Sequence, residues 1–380
     1  MNTPAPSFAA GLEGVIACAT RLSDVDGTNG KLTFAGYNAV DLAEKKTIEE
    51  VWFLLHHNRL PDAAELAAFK AKIEKLGRPN AQEIRIMKGL RAGEPLSAFR
   101  SILSAIASQR GYKPWLNRDV AVVEEELLAL SALAPAIVEV IHTGKAPLKK
   151  RNNLGYAERY LWGILGHKPK KEAREAVETY LILTMDHGLN ASTFAGRVCA
   201  STGADVGAAL TAAIGTLSGP LHGGAPGPVL DMLDSIGTAD KAKGWVAEQL
   251  TAKRRIMGFG HRVYRTDDPR ALTLKRVAEK QKGPRIELAR AVEHEVLSAL
   301  DAHQKAKATA GTPVRALRVN VEFWTAVALE HAGIPRELYS STFCTSRIIG
   351  WSEHIREQLK DNKLFRPLSH YSGPAVQPLA

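Results

Sequence analysis

The chain has 380 residues, 45% hydrophobic and 24% charged, an ordinary globular balance with length enough for a large core in two domains, or three. No apolar run reaches the roughly 18 residues that span a bilayer, and the opening MNTPAPSFAAGLEG lacks the basic and then apolar regions of a secretory signal, so neither a membrane partner nor export is expected. The net charge of +10 is spread thinly, densest at Lys149-Lys150-Arg151 and from Lys168 to Lys171 without interleaved aromatics, so no nucleic-acid partner is expected; solvated helix ends, or a positive potential suited to small polyanions, account for it.

The first element to stand out is extended: Lys31 to Tyr37, preceded by Asn29-Gly30, a hairpin-turn pair. Helical signals then dominate. Thr47 and Glu50 have capping-box spacing ahead of the apolar run 51–55. Asp62, after Pro61, opens a helix that should stop near Gly77. Residues 121–143 read as a long helix ending at Gly144, which Pro135 should kink or divide. Further helices fit 171–187, 204–217, 285–308, 320–333 and 343–360. Strands are too few for a Rossmann or barrel core, so the class is all-α.

Two glycine-rich breaks interrupt the helices, Ser218 to Ala225 and Met257 to Arg262, and each sets a histidine, His222 or His261, at a turn. His187 lies at the end of the 171–187 helix. Any one of these histidines is more often structural than functional, but three at helix-breaking turns point to proton handling near neutral pH. With Glu322 they are also metal-ligand types, yet their separations fit no short-spaced motif such as HExxH or CxxC, and no metal is expected. GxGxxG, GxxxxGK[ST] and GxSxG are absent. Arg262, Arg265 and Arg270 follow His261 closely. Arg347 has apolar neighbours in Phe343, Ile348, Ile349 and Trp351, and a buried arginine wants a carboxylate or phosphate. Cys18, Cys199 and Cys344 lie far apart and form no disulfide framework, as in a reducing cytoplasmic setting.

These motifs together resemble the citrate synthase family through most of the chain. Asp26-Gly27, Gly36-Tyr37, residues 48–51 and Leu60-Pro61 resemble its opening hairpin and first helices. LILTMDHGLNASTFAGRV from Leu181, GPLHGGA from Gly219 and GFGHRVYRTDDPR from Gly258 are similar to its three histidine motifs, the last being the most specific. Asn320 to Phe323, Arg347, Arg366-Pro367 and Gly373-Pro374 are similar to its catalytic-carboxylate and C-terminal substrate segments.

The resemblance implies a homodimer with shared active sites that condenses acetyl-CoA, its co-substrate, with oxaloacetate and needs no tightly bound cofactor. His222 would hydrogen-bond the thioester oxygen, Glu322 would deprotonate the acetyl methyl and His261 would polarise the oxaloacetate ketone. His187, Arg270 and Arg347 would hold oxaloacetate, with Arg366 reaching in from the partner subunit, while Arg265 and Arg315 would meet CoA. It also implies a large domain over residues 1–221 and 326–380 and a small one over 222–325 that closes on it. Three positions depart from the family pattern: Glu322 stands where Asp is usual, Gly188 where Glu usually follows the histidine, and Ala35 where Arg usually precedes Gly-Tyr. A 2-methylcitrate synthase using propionyl-CoA is the nearest rival reading, since one methylene changes discrimination by only ~1–3 kcal/mol. A non-catalytic paralogue that binds CoA or a dicarboxylate is the rival from another class.

Overall fold

The computed structural model describes residues 9–147, 154–222, 227–261, 263–309 and 318–378, and the side chains of these except 302–309. It begins with a small antiparallel sheet of β1 (Ser23–Asp26), β2 (Lys31–Phe34) and β3 (Tyr37–Asn38), in that order, with Asp26 opposite Lys31 across the Asn29-Gly30 turn. The extended stretch from Lys31 to Tyr37 is thus broken, because Ala35 and Gly36 take positive φ (44° and 87°) and turn the chain back.

Helices follow: α1 (Ala39–Lys45), α2 (Ile48–His57), α3 (Ala63–Leu76), α4 (Ala81–Leu90), α5 (Pro95–Gln109), α6 (Val120–Thr143), α7 (Tyr156–Leu165) and α8 (Lys171–Thr184). After these come α9 (Ala191–Ser201), α10 (Val206–Leu217), α11 (Gly227–Ile236), α12 (Ala242–Thr251), α13 (Pro269–Ala278), α14 (Pro284–Thr309), α15 (Val321–His331) and α16 (Tyr339–Lys360). Their starts follow local chemistry. The Thr47–Glu50 and Asp62–Glu65 capping boxes both form, and Asp119, Asn190, Asp205, Asp268 and Asn320 each accept a first-turn N–H. α6 runs unbroken through Pro135 and ends at Gly144 in the left-handed region. α8 stops at Thr184, a turn short of the sequence expectation, so Asp186 and His187 lie on a connection.

The core runs along α6 and α16, which pack on each other. Every residue of α6 from Glu126 to Ile141 is buried, so it is covered on all sides rather than along one stripe. α16 also packs against α8 and α9. Gly350 permits this, since a Cβ there would overlap the Met185 carbonyl. A second group forms where α13 and α11 pack on α15 and α12 packs on α14; α13 and α15 also meet α8. The hairpin turn reaches this second group. Gly27 accepts a hydrogen bond from Arg265 N–H (2.7 Å), and a Cβ at Gly27 would strike the Val263 carbonyl. Among the described residues, no helix is long and apolar enough to cross a membrane.

Candidate active site

Three segments converge where the end of α8 meets the middle of α16. The first is the α8–α9 connection carrying His187, the second the loop 257–268 carrying His261, and the third the start of α15 carrying Glu322. The second and third are stitched together: Gly260 N–H donates to Arg318 O (2.7 Å), Asn320 N–H to Gly258 O (2.9 Å) and Asn320 Nδ2 to Gly260 O (3.0 Å). Gly258 is required here, with φ +83° and a virtual Cβ only 2.8 Å from the Phe323 side chain. Asn320 also caps α15 by accepting from Glu322 N–H (3.0 Å), which fixes the first turn that bears the glutamate.

His261 Nδ1 accepts from the N–H groups of Val263 and Tyr264, both at 3.0 Å. That nitrogen's lone pair is therefore engaged, and the neutral ring carries its proton on Nε2. Arg270 Nη2 lies 3.2 Å from Nε2. Two donors thus face one another across 3.2 Å, an arrangement in which one oxygen between them would accept from both. Arg270 is itself held by Asp268 through Nε (3.0 Å) and Nη2 (2.8 Å), a buried pair at the N-terminus of α13. The His187 ring meets His261 edge-on at 5.6 Å, and its Nε2 shares a hydrogen bond with the Tyr264 hydroxyl (3.2 Å). Burial and then the charges of Arg270, Arg347 and His261 push His187 well below the usual histidine range, so it is neutral.

Arg347 is 2% exposed on α16. Its Nε donates to Thr184 O (2.7 Å), the open end of α8, and its guanidinium lies over the Phe343 ring at 4.7 Å. No carboxylate among the described residues lies within salt-bridge distance of it. Burial pulls its pKa down to about 10; Asp186 resists this and Arg270 adds to it. The cation expected from sequence to be buried is so, but no described residue pairs with it directly as an anion.

Glu322 is pushed up to about 7 by burial, against the opposing charges of Arg255 and Arg270. Arg318, its obvious sequence neighbour for an ion pair, instead pairs with Asp301 (3.0 Å) and approaches Asp267 (3.8 Å). His222 closes the α10 end: its Nε2 is held by Ser192, with the backbone N–H at 3.3 Å and the hydroxyl at 2.7 Å. Trp351 Nε1 donates to the same hydroxyl (3.1 Å). Nδ1 has no hydrogen-bond partner among the described residues. Burial, with Arg347 second, pushes the ring down to about 4, so it too is neutral.

His187, His261, Arg270, Arg347 and Glu322 therefore form one electrostatic neighbourhood, with His222 coupled to it through Arg347. Arg366 is not brought there. It is exposed in the C-terminal segment, on a cavity of about 850 Å³ that the chain's N-terminal segment, Arg197 and Glu357 also line. Arg265 is exposed on the loop after His261, and Arg315 lies outside the described residues. Tyr264, Asp268, Ser192, Trp351 and Thr184 were not singled out from sequence. Asp268-Pro269 carries a recognisable helix-start signal; the others become visible only through packing.

The all-α scaffold is that of a class of acyl-transferring enzymes. The family model for the citrate synthase C-terminal domain matches residues 11–368. Citrate synthase 2 of Bacillus subtilis is 35% identical over 97% of this chain and 96% of its own. The 2-methylcitrate synthase of Mycobacterium tuberculosis is also 35% identical, over 97% of this chain and 91% of its own. The citrate synthase of the archaeon Thermoplasma acidophilum, solved in ternary complex with carboxymethyl coenzyme A and oxaloacetate, superposes with TM-score 0.84 at 30% identity, covering 98% of both chains. The chain belongs to the citrate synthase family.

Proposed function

We propose that the protein condenses acetyl-CoA with oxaloacetate and water to give citrate and CoA. The observation that carries this reading is Arg347, a buried guanidinium with no carboxylate at salt-bridge distance among the described residues, near Arg270 and the neutral histidines His187 and His222. Such a pocket suits a dicarboxylate carrying a ketone. Arg347, Arg270 and His187 hold the carboxylates, and the ketone oxygen lies between His261 Nε2–H and Arg270 Nη2.

A thioester methyl is a very weak acid, so its enolate must be stabilised as it forms. His222 supplies the donor, from Nδ1–H, in the tautomer whose Nε2 accepts from Ser192; such a donor is typically worth ~3–4 kcal/mol. Glu322 takes the methyl proton, and a pKa of about 7 suits a base that must be ionised yet basic at neutral pH. The new carbon–carbon bond forms at the ketone carbon, whose oxygen takes a proton from the His261 side, and water then cleaves the thioester. Arg265 and Arg315 meet CoA phosphates. Arg366, exposed and away from its own site, serves the partner's site in a cytoplasmic homodimer. Residues 222–325 close as a small domain over 1–221 and 326–380, which carry His187 and Arg347.

The test is CoA release with oxaloacetate, run side by side with acetyl-CoA and propionyl-CoA. A higher kcat/KM with acetyl-CoA is expected. Preference for propionyl-CoA would assign 2-methylcitrate formation instead, the reaction named for an equally similar relative. No turnover with either, by protein that binds oxaloacetate, would favour a non-catalytic binder.

A further inference from the structure

Behind His187 runs a buried polar line that the proposed reaction leaves unused. His354, Asp186 and Arg197 are 0%, 0% and 4% exposed. Arg197 Nη1 donates to Glu357 Oε2 (2.8 Å) and to His354 Nδ1 (3.3 Å), and its Nε donates to Gln358 (3.0 Å). With Nδ1 accepting, the neutral His354 ring carries its proton on Nε2, which faces Asp186 Oδ2 at 3.3 Å. The same oxygen accepts the Ser23 hydroxyl and the Gly188 N–H (3.4 Å), and Ser23 Oγ also accepts from that N–H (3.0 Å). Asp186 Oδ1 is buried with no hydrogen bond of its own; His354 Nε2 lies 3.2 Å away but off line.

The charges along this line are unevenly matched. Arg197 is neutralised by Glu357, but no Arg or Lys lies at salt-bridge distance from Asp186 among the described residues. Arg347 likewise has no carboxylate at that distance, although each influences the other's ionisation. A buried carboxylate beside an unmatched buried guanidinium ordinarily closes into an ion pair. Here three donors, from His354, Ser23 and Gly188, hold the carboxylate by Oδ2.

We propose that His354 is a positioning residue that tethers Asp186, so that Asp186 lends its negative charge to Arg347 without occupying the guanidinium, which stays open for a substrate carboxylate. The inference rests on the oxaloacetate reading of the site. Through Gly188, the same tether fixes the turn that carries His187. The residue acts on substrate affinity and not on the bond-making step.

His354→Phe keeps the ring and removes the Nε2–H donor. It is expected to weaken oxaloacetate binding in calorimetry, and to raise its KM, by roughly tenfold to a hundredfold, the size of a misplaced contact. Saturating kcat and the acyl-CoA KM should stay within about threefold, a split that general loss of structure would not give. His354→Gln returns a donor toward Asp186 and should recover most of the affinity. A folded His354→Phe with wild-type oxaloacetate affinity overturns the proposal, as does His354→Gln binding no better than His354→Phe. If His354→Phe fails to fold, Ser23→Ala removes another tether and should weaken oxaloacetate binding severalfold; unchanged affinity is equally fatal. The crystal structure of ligand-free His354→Phe decides the tether separately from any substrate. Asp186 closed onto Arg347 supports it, and Asp186 left in place refutes it, whereas wild-type protein that binds no oxaloacetate refutes only the substrate reading.

Discussion

Arg347 and Glu322 are both ionisable groups withdrawn from water, but their surroundings treat them in opposite ways. Arg347 sits in the middle of a helix packed on several sides, fixed by a carbonyl and an aromatic face, and remains a cation at neutral pH because its pKa falls only to about 10. Glu322 sits in the first turn of a helix whose loop is stitched to a glycine break, and its pKa of about 7 lets it change charge where the protein works. A permanent charge is placed on rigid packing, where it shapes the field. A group whose pKa lies near neutrality is placed at a seam, where burial can tune it without locking it.

The largest effect should come from removing the proposed proton acceptor. Glu322→Gln is expected to lower citrate formation, and deuterium exchange from the acyl methyl, by ~10²–10⁴-fold while oxaloacetate binding in calorimetry is kept. Near-normal turnover would remove Glu322 as the base. The sharpening of this contrast is a pH dependence: wild-type kcat/KM should rise through about pH 7 as Glu322 ionises. Stability moves the other way. The folded pKa lies above the unfolded value, so the contribution of Glu322 is fully present below the unfolded pKa and is lost as pH rises through about 7. Thermal melts should show Glu322→Gln gaining on wild type at pH 8 and not near pH 4.

Next in size, Arg347→Ala and Arg366→Ala should each lose about 10- to 150-fold in kcat/KM, the range for one charged hydrogen bond. Co-refolded together, they should recover about a quarter of wild-type turnover if each site draws on both subunits, since random pairing gives half mixed dimers with one intact site each. No recovery in dimers proven mixed by mass would place Arg366 outside the partner's site. A smaller effect separates binding from stability at Arg347. Arg347→Met replaces an unmatched buried charge by an apolar chain, so the ligand-free protein should melt at or above the wild-type temperature although oxaloacetate no longer binds. A clear drop would mean that the bond to Thr184 outweighs the desolvation. The smallest change is expected at the seam: Gly258→Ala forces positive φ and a contact with Phe323, costing ~1–3 kcal/mol in chemical denaturation.

Legibility followed the range of the interaction. The Asn29-Gly30 turn, the Thr47 and Asp62 capping boxes and the glycine at the end of α6 were readable because each signal lies within a few residues. So was the burial of Arg347, from its apolar neighbours on one helix. The end of α8 was not, because Asp186 and His187 are drawn out of the helix by Ser23, Tyr264 and His354, all distant in sequence. The pairing of Arg318 with Asp301 rather than Glu322 is decided by tertiary geometry in the same way. α5 carried a usable local signal in Glu94-Pro95, where the glutamate caps and the proline opens the first turn.

The bond from Arg265 to Gly27 also bears on how the molecule is made. At roughly 5–20 residues per second, the hairpin leaves the ribosome about 12–48 s before the loop against which Gly27 and Gly30 pack. During that interval the turn 27–30 has no surface to dock on, and its glycines, which admit the close approach, give the waiting segment no apolar side chain to bury elsewhere. The hairpin's final docking is therefore a late step of folding, with a large loop to close. A pulse-labelled hydrogen-exchange experiment should find the Arg265 amide among the last to become protected.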